Sequence, residues 1–477
     1  MGAHITRLFQ VTAKKLARTA VQQLAPKVVT DPMPADSLRE HGHAFCAAPF
    51  HNLSVAIGGV ATPCCEFKGD CGNVKQQSIE DVWQGEAFRE FRAKMLRDER
   101  DDRCSKCYEM EETGGYSLRK MFNTRQVGHA DRSGRPAEAA GPADESLAPA
   151  LPITLDIRFS NLCNFSCRMC GPAASSKWFS DSREMGWTPA PGALITTFTS
   201  TEAAIQGLRP LLPTIELIYF AGGEPLLLEQ HYALLNELIQ QGRTDVSLQY
   251  NSNVSELRLG RQDVLPLWSH FKDILIEASI DGSGIRGELI REGMSWSDFV
   301  ANVRTIKQSC PHVRIQFGIT VSVFNVWALP ELYRDLSALG DPGEHDMHFH
   351  VLQEPKHYSI QILPRRIKRK IARRLEAYAS EGPNDGAEMA NWSIQSQFRH
   401  IIDHMMAEDH TDLIEKFREV TFKLDKMRNK STAAICPELA PLLRPSVFPK
   451  LRRLAHRARY FPRRALRRLE ISRQQQG

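Results

Sequence analysis

The chain has 477 residues, 42% of them apolar and 25% charged, the proportions of a globular protein rather than a disordered one. That length exceeds one ordinary core, so about two or three domains are expected, and no uninterrupted apolar run approaches membrane-spanning length. The net charge of +5 resides at the ends, +5 over residues 1–30 and +10 over residues 443–477, leaving the middle at −10; the body of the chain therefore carries no sign of nucleic-acid binding.

Residues 1–40 read as a basic, weakly amphipathic helix followed by a Pro-containing connector. An acid-free, Lys/Arg-containing start has the look of a mitochondrial presequence, but a frayed helix that docks or floats is the favoured reading. Residues 41–125 are short-stranded and dense in cysteine. Six of the eleven cysteines fall between Cys46 and Cys107, and three more lie at 163–170. With no secretory signal read in the sequence, clusters spaced like metal ligands indicate a reducing, cytoplasmic setting rather than disulfides. Residues 126–150 are rich in Ala, Gly and Pro, the composition of a linker.

From Ile153 the pattern alternates. Strand-like runs are expected at Ile153–Ser160, Thr214–Ala221, Val246–Asn251, Asp273–Ile280, Val313–Val321 and Met347–Leu352. Helical periods fall between them at Leu228–Gln241, Ser295–Cys310 and Val326–Leu339. This is the grammar of βαβ units around a parallel sheet, although periodicity alone does not separate a partial barrel from an open doubly wound sheet. Residues 365–435 read as three helices, among them Arg366–Tyr378 and Asp412–Met427. The tail from Pro445 alternates Arg pairs with Leu, Ala and Phe; it suits an anionic membrane surface or a nucleic acid, with a solvated basic helix the favoured reading.

The strongest motif is Cys163-Asn164-Phe165-Ser166-Cys167-Arg168-Met169-Cys170, three thiols in one loop directly after the first expected strand. A structural zinc site wants four ligands. Three thiols on a cubane leave one iron open. Later strands end in Gly222-Gly223-Glu224-Pro225, in Asn251-Ser252-Asn253, and in Ser279-Ile280-Asp281-Gly282 followed by Ile290-Arg291-Glu292-Gly293. Two glycines let a backbone approach a ligand closely, and the Arg fork suits a carboxylate. Read without the other motifs, Asn251 and Asn253 are equally turn residues, and Asn325 is equally a helix cap. His348 and His350 alternate on the sixth strand and share one face.

These motifs resemble the radical S-adenosylmethionine (SAM) enzymes. The resemblance implies a catalytic [4Fe-4S] cluster on Cys163, Cys167 and Cys170, with SAM chelated at the open iron and cleaved to a radical that abstracts hydrogen. It implies SAM contacts from Met169, Gly222, Gly223, Glu224, Pro225, Asn251, Ser279, Asp281 and Arg291. Met169 stands where the family usually has an aromatic residue. The implied fold is α/β: a partial (β/α)6 TIM-like barrel over 151–360, with a small cysteine-rich Twitch/SPASM-like domain before it and C-terminal helices after it.

Cys46, twelve residues, Gly59, four residues, Cys64, and then Cys104-x2-Cys107 resemble the pattern of Twitch/SPASM auxiliary-cluster domains. That implies a closed auxiliary [4Fe-4S] cluster on Cys46, Cys64, Cys104 and Cys107. A four-cysteine zinc site has the same ligand types, and Cys65 and Cys71 remain as spare thiols. The implied partners are an electron donor such as flavodoxin or ferredoxin and a substrate of peptide, protein or small-metabolite class. A non-catalytic iron–sulfur or zinc scaffold is the alternative.

Overall fold

The computed structural model describes residues 43–112, 116–124, 151–187, 192–339, 347–381 and 393–444. The expected basic N-terminal helix, the Ala/Gly/Pro-rich linker and the basic tail from Pro445 lie outside these residues.

One eight-stranded sheet organises the molecule. Its strands are β1 (Asn52–Val55), β2 (Ala61–Thr62), β3 (Thr154–Ile157), β4 (Leu217–Phe220), β5 (Ser247–Ser252), β8 (Ile274–Ser279), β9 (Val313–Val321) and β10 (Met347–Val351), while β6 (Arg258–Leu259) and β7 (Gln262–Asp263) form a separate small hairpin. The spatial order is β10-β9-β8-β5-β4-β3-β1-β2. All six strands expected from the alternating pattern are present and run parallel.

The sheet does not stop at β3. β1, from the cysteine-dense segment, pairs with β3 in parallel, Leu53 opposite Leu155 and Ser54 opposite Asp156, and β2 closes the edge antiparallel. An uncovered β3 would present unpaired backbone groups. β1 covers them and buries Leu53 and Val55 completely. Within the described residues the cysteine-dense segment is thus built into the sheet of the barrel.

Strand alternation sorts the two faces. Along β5, Leu248, Tyr250 and Ser252 are buried while Gln249 and Asn251 are part-exposed. Along β8, Ile274, Ile276 and Ala278 are buried while Glu277 and Ser279 are not. The apolar face takes the helices; the other face carries polar side chains. Trp296–Ser309 shows how a helix is fixed. Ser295 caps it through the Asp298 N–H, and Phe299, Val303 and Ile306 form its buried stripe.

The C-terminal region forms three helices, Arg365–Glu381, Ile394–Ala407 and Ile414–Met427, followed by short turns of helix at Thr432–Ile435 and Ala440–Leu443. The third helix and the residues after it reach the cysteine loop, as described below.

Under the apolar face, His231 is fully buried, its Nε2 3.0 Å from the Tyr250 hydroxyl. Burial pushes the imidazole down to about 3, below the roughly 6.5 of an unfolded chain. Between those pH values the unfolded chain holds a proton that the folded one refuses. Stability should therefore fall as pH drops below about 6.5, by up to about 1.4 kcal/mol per pH unit from this group. Urea titrations at pH 7 and pH 5 would read the slope, and His231→Phe should flatten it; an equal slope in that variant would show that other groups carry it.

Candidate functional site

The loop after β3 is held from all sides. Asn161 is fully buried; its amide donates to the carbonyls of Pro172 and Ala193 at 2.9 and 3.0 Å, and its Oδ1 accepts from the Ile195 N–H. Ser175 Oγ donates to the Phe165 carbonyl at 2.5 Å, and Trp178 Nε1 donates to the Cys167 carbonyl at 2.8 Å. The N–H groups of Ser166 and Arg168 bond to the carbonyls of Glu292 and Ile290. The turn carrying Arg291 is thereby stitched to the turn carrying the thiols.

The three thiols converge. Cys167 and Cys170 form a hydrogen-bonded pair that lowers the Cys167 thiol and raises that of Cys170, and Arg291 favours the thiolate of both. Burial, aided by the neighbouring Cys167 and opposed by the Phe165 N–H, pushes Cys163 up to about 12. Arg291 Nη1 stands 4.0 Å from Cys167 Sγ. Three neighbouring sulfurs beside a fixed cation suit a three-thiolate cluster, whose iron would convert the thiols to thiolates.

The Gly222-Gly223 turn packs directly on this loop. Gly222 has φ of +117°, and a Cβ at Gly223 would lie 2.1 Å from the Leu162 carbonyl oxygen. The Gly223 and Glu224 N–H groups donate to the carbonyls of Ser160 and Leu162 at 3.0 and 2.8 Å. Pro225 opens a short 3-10 turn, Pro225–Leu227. Glu224 is 1% exposed. Its Oε1 accepts from Leu226 N–H and Ser252 Oγ, and its Oε2 from Asn253 N–H at 2.7 Å. Burial raises its pKa, and those bonds oppose the rise. Expected as a ligand contact, Glu224 is here the tie between the ends of β4 and β5. Asn253 extends that tie to Asn164 in the cysteine loop at 3.0 Å.

Ser279 Oγ donates to Asn251 Oδ1 at 2.5 Å, on the polar face. Asp281 is fully buried. It accepts from Thr320 N–H at 2.7 Å and pairs with Arg291 Nε at 2.7 Å. It acts on Arg291, holding the guanidinium toward the thiols and raising its pKa against the opposing effect of burial. Asn325 stands at the N-cap of the short turn Val326–Ala328 but its side chain makes no capping bond; it ties strand ends together instead, its amide donating to the carbonyls of Asp281 and Thr320 and its Oδ1 accepting from Ser322 N–H. Met169 is half-buried against the core.

Residues outside the motifs complete the site. The fully buried Arg168 side chain pairs with Asp425 at 2.5 Å, Arg428 with Asp181 at 2.8 Å, and Lys430 with Glu292 at 2.9 Å. The third C-terminal helix and the residues after it therefore hold the cysteine loop at Arg168, the helix that follows that loop at Asp181 and the Arg291 turn at Glu292. Charge in the sequence at 425–430 gave only mixed helix faces, so these partners were not visible there. The structure also brings Glu277 of β8 to His348 and His350 of β10.

The second thiol set also assembles. Cys46 lies within electrostatic reach of Cys104 and Cys107, and Cys64 within reach of Cys46 and Cys107. Burial pushes Cys46 and Cys104 up to about 12, a cost that a bound metal would reverse. Gly59, at φ +92°, makes the hairpin turn where a Cβ would meet Asn73 Oδ1 at 2.6 Å. The spare thiols face elsewhere, Cys65 toward Asp156 and Arg158 and Cys71 toward Arg103. The four thiols are near enough to influence one another, as ligands brought to one region would be.

Residues 46–108 match the family described as SPASM, an iron–sulfur cluster-binding domain. That span contains all four of these thiols. This segment is thus similar to SPASM iron–sulfur domains, as the spacing of its cysteines implied. Similar solved structures include native anSMEcpe with bound AdoMet, at 18% identity and a TM-score of 0.33, covering 46% of this chain and 58% of that one. Streptococcus suis SuiB bound to precursor peptide SuiA is 12% identical with a TM-score of 0.32, covering 61% of this chain and 62% of that one. TYW1 with a lysine–pyruvate adduct bound is 13% identical with a TM-score of 0.26, covering 47% and 71%. The chain spans less than two thirds of the anSMEcpe and SuiB chains. No helix among the described residues is long and apolar enough to cross a membrane.

Proposed function

We propose that this protein is a radical SAM oxidoreductase or modifying enzyme acting on a peptide, protein or small metabolite. The observation that carries the reading is the convergence of Cys163, Cys167, Cys170 and the Asp281-anchored Arg291 beyond the C-terminal ends of parallel strands, where barrel folds place their chemistry. When bound on the three thiolates, a [4Fe-4S] cluster with SAM at its open iron supplies a 5'-deoxyadenosyl radical for hydrogen abstraction.

The chain's own residues prepare the place. Gly222 and Gly223 bring a bare backbone against the cysteine loop. Arg291 offers the donors that a SAM carboxylate needs, Ser279 and Asn251 a hydroxyl and an amide, and Met169 a polarizable edge for a ring. Glu224 and Asp281 position rather than contact. Cys46, Cys64, Cys104 and Cys107 hold an auxiliary [4Fe-4S] cluster with no open iron, suited to electron transfer with a flavodoxin- or ferredoxin-type donor in the cytoplasm. The division into auxiliary domain 41–125, core 151–360 and helical region 361–440 belongs to the same proposal.

Anaerobic reconstitution should load about eight irons per chain, four per cubane. With SAM and dithionite the protein should release 5'-deoxyadenosine. The Cys163/Cys167/Cys170→Ala triple variant should keep about four irons and release none. A wild-type protein that holds both clusters yet leaves SAM intact under reduction would sink the reading in favour of an iron–sulfur scaffold.

A further inference from the structure

Strands β8 and β10 are separated by β9, yet their side chains meet. Glu277 of β8 reaches across β9 to His348 and His350 of β10. His350 Nε2 lies 3.1 Å and His348 Nδ1 3.7 Å from Glu277 Oε1, and the three ligand atoms all lie within 4.8 Å of one another. The crossing is possible because β9 has Gly318 at that point. A Cβ there would stand 2.9 Å from Glu277 Cγ and 3.0 Å from its Oε1. Register fixes the position: His348 is opposite Gly318, Ser279 is opposite Gly318 from the other side, and Glu277 is opposite Asn251. The cluster of donors thus lies on the polar face, one alternation below the Ser279–Asn251 pair.

We propose that Glu277, His348 and His350, brought together over Gly318, bind one first-row divalent metal ion, zinc. Two imidazoles and one carboxylate are a ligand set that such ions take, with three protein ligands and the remaining positions open. A plain ion pair needs one imidazole beside the carboxylate. Here two rings, with centroids 6.3 Å apart and planes at 87°, aim at the same carboxylate oxygen. Both rings come from one strand at i and i+2, so the strand itself holds their spacing. The Glu277 side chain is 22% exposed and that of His350 64%, which leaves the open side of the ion accessible from solvent. An oxygen or nitrogen donor of a substrate, a carboxylate or carbonyl, would fill an open position there. This site is independent of the three-thiol loop and of SAM cleavage.

The full chain, with both thiol sites reconstituted anaerobically, is titrated with zinc alone and desalted, and zinc and iron are counted by mass spectrometry. One zinc per chain is expected. X-ray absorption at the zinc edge should show nitrogen and oxygen neighbours at about 2.0–2.1 Å and no sulfur near about 2.3 Å. His348→Ala/His350→Ala and Glu277→Gln should each weaken zinc binding by more than about tenfold, the loss typical of disturbing even an outer partner, while iron content stays at the wild-type value. Gly318→Ala should weaken it with all three ligands still present. If the double variant fails to fold, His350→Ala carries the test, since that side chain is mostly exposed. Zinc bound through sulfur, binding that is equal in wild type and His350→Ala, or no retained zinc would each overturn the proposal and leave a Glu–His ion pair only.

Discussion

Asp425→Ala is expected to destabilise the protein by about 3–5 kcal/mol, the usual cost of stranding a buried charge. Arg168 sits inside the cysteine loop with its side chain 0% exposed. Its Nε donates to the Leu289 carbonyl at 3.0 Å, its Nη2 to Asp425, and its guanidinium lies 5.5 Å from the Phe324 ring centroid. Asp425 also accepts from the Thr432 N–H and hydroxyl at 2.7 and 2.8 Å, so its loss frees two further donors. Guanidinium chloride or urea unfolding would read the change, and iron per chain would show whether the three-thiol site fails first. Arg168→Leu/Asp425→Leu should lose less than Asp425→Ala, because replacing both partners leaves no buried charge unpaired. A double variant as unstable as the single would mean that packing, not charge, makes Asp425 important.

Gly223→Ala should be comparably severe and more local. The added Cβ would sit 2.1 Å from the Leu162 carbonyl oxygen and 2.6 Å from its carbon. Both are backbone atoms of the cysteine loop, so no rotamer change relieves the clash. Overpacking costs about 1–3 kcal/mol where side chains can yield, and this site should lie at or above that range. The expected readout is loss of about four irons, one cubane, with the other site retained. Gly171→Ala is the matched control, since an added Cβ there meets nothing within 4 Å and iron content should hold. Full iron content in Gly223→Ala would show that the loop can retreat without losing its ligands.

What was legible in the sequence was whatever is local in the chain. β9 coincides with the expected Val313–Val321 because every second residue of the run, from Val313 to Val321, is apolar, which carries a clear period. β3 and β4 are shorter than expected, since the ends of the runs find other partners: the Phe159 carbonyl accepts from Thr197, that of Ser160 from Gly223, and the Thr214 and Ile215 N–H groups donate to Leu211. That the thiols and Arg291 come together in space was legible because each lies in a compact motif. The role of Asp425 was not, because its partner Arg168 is 257 residues away and a lone Asp on a mixed-charge helix reads as solvated. Glu224 and Asp281 were legible as important but not in kind: only the folded chain shows their carboxylates turned to Asn253 and to Arg291. The meeting of Glu277 with two histidines needs the sheet order and a glycine on the strand between, neither of which a period reveals.

The pairing of β1 with β3 has a consequence for the two thiol sets. Cys46 and Cys64 bracket the β1–β2 hairpin, while Cys163 follows β3. Four consecutive residue pairs, Asn52–Thr154 to Val55–Ile157, join the two strands. The gap between the sets is therefore measured by a hydrogen-bonded ruler and not by the Ala/Gly/Pro-rich residues 126–150 that connect them in sequence. Lengthening or nicking that connection would alter the chain's path and leave the span unchanged. Any electron passing between the two sets would cross a distance set when the sheet forms.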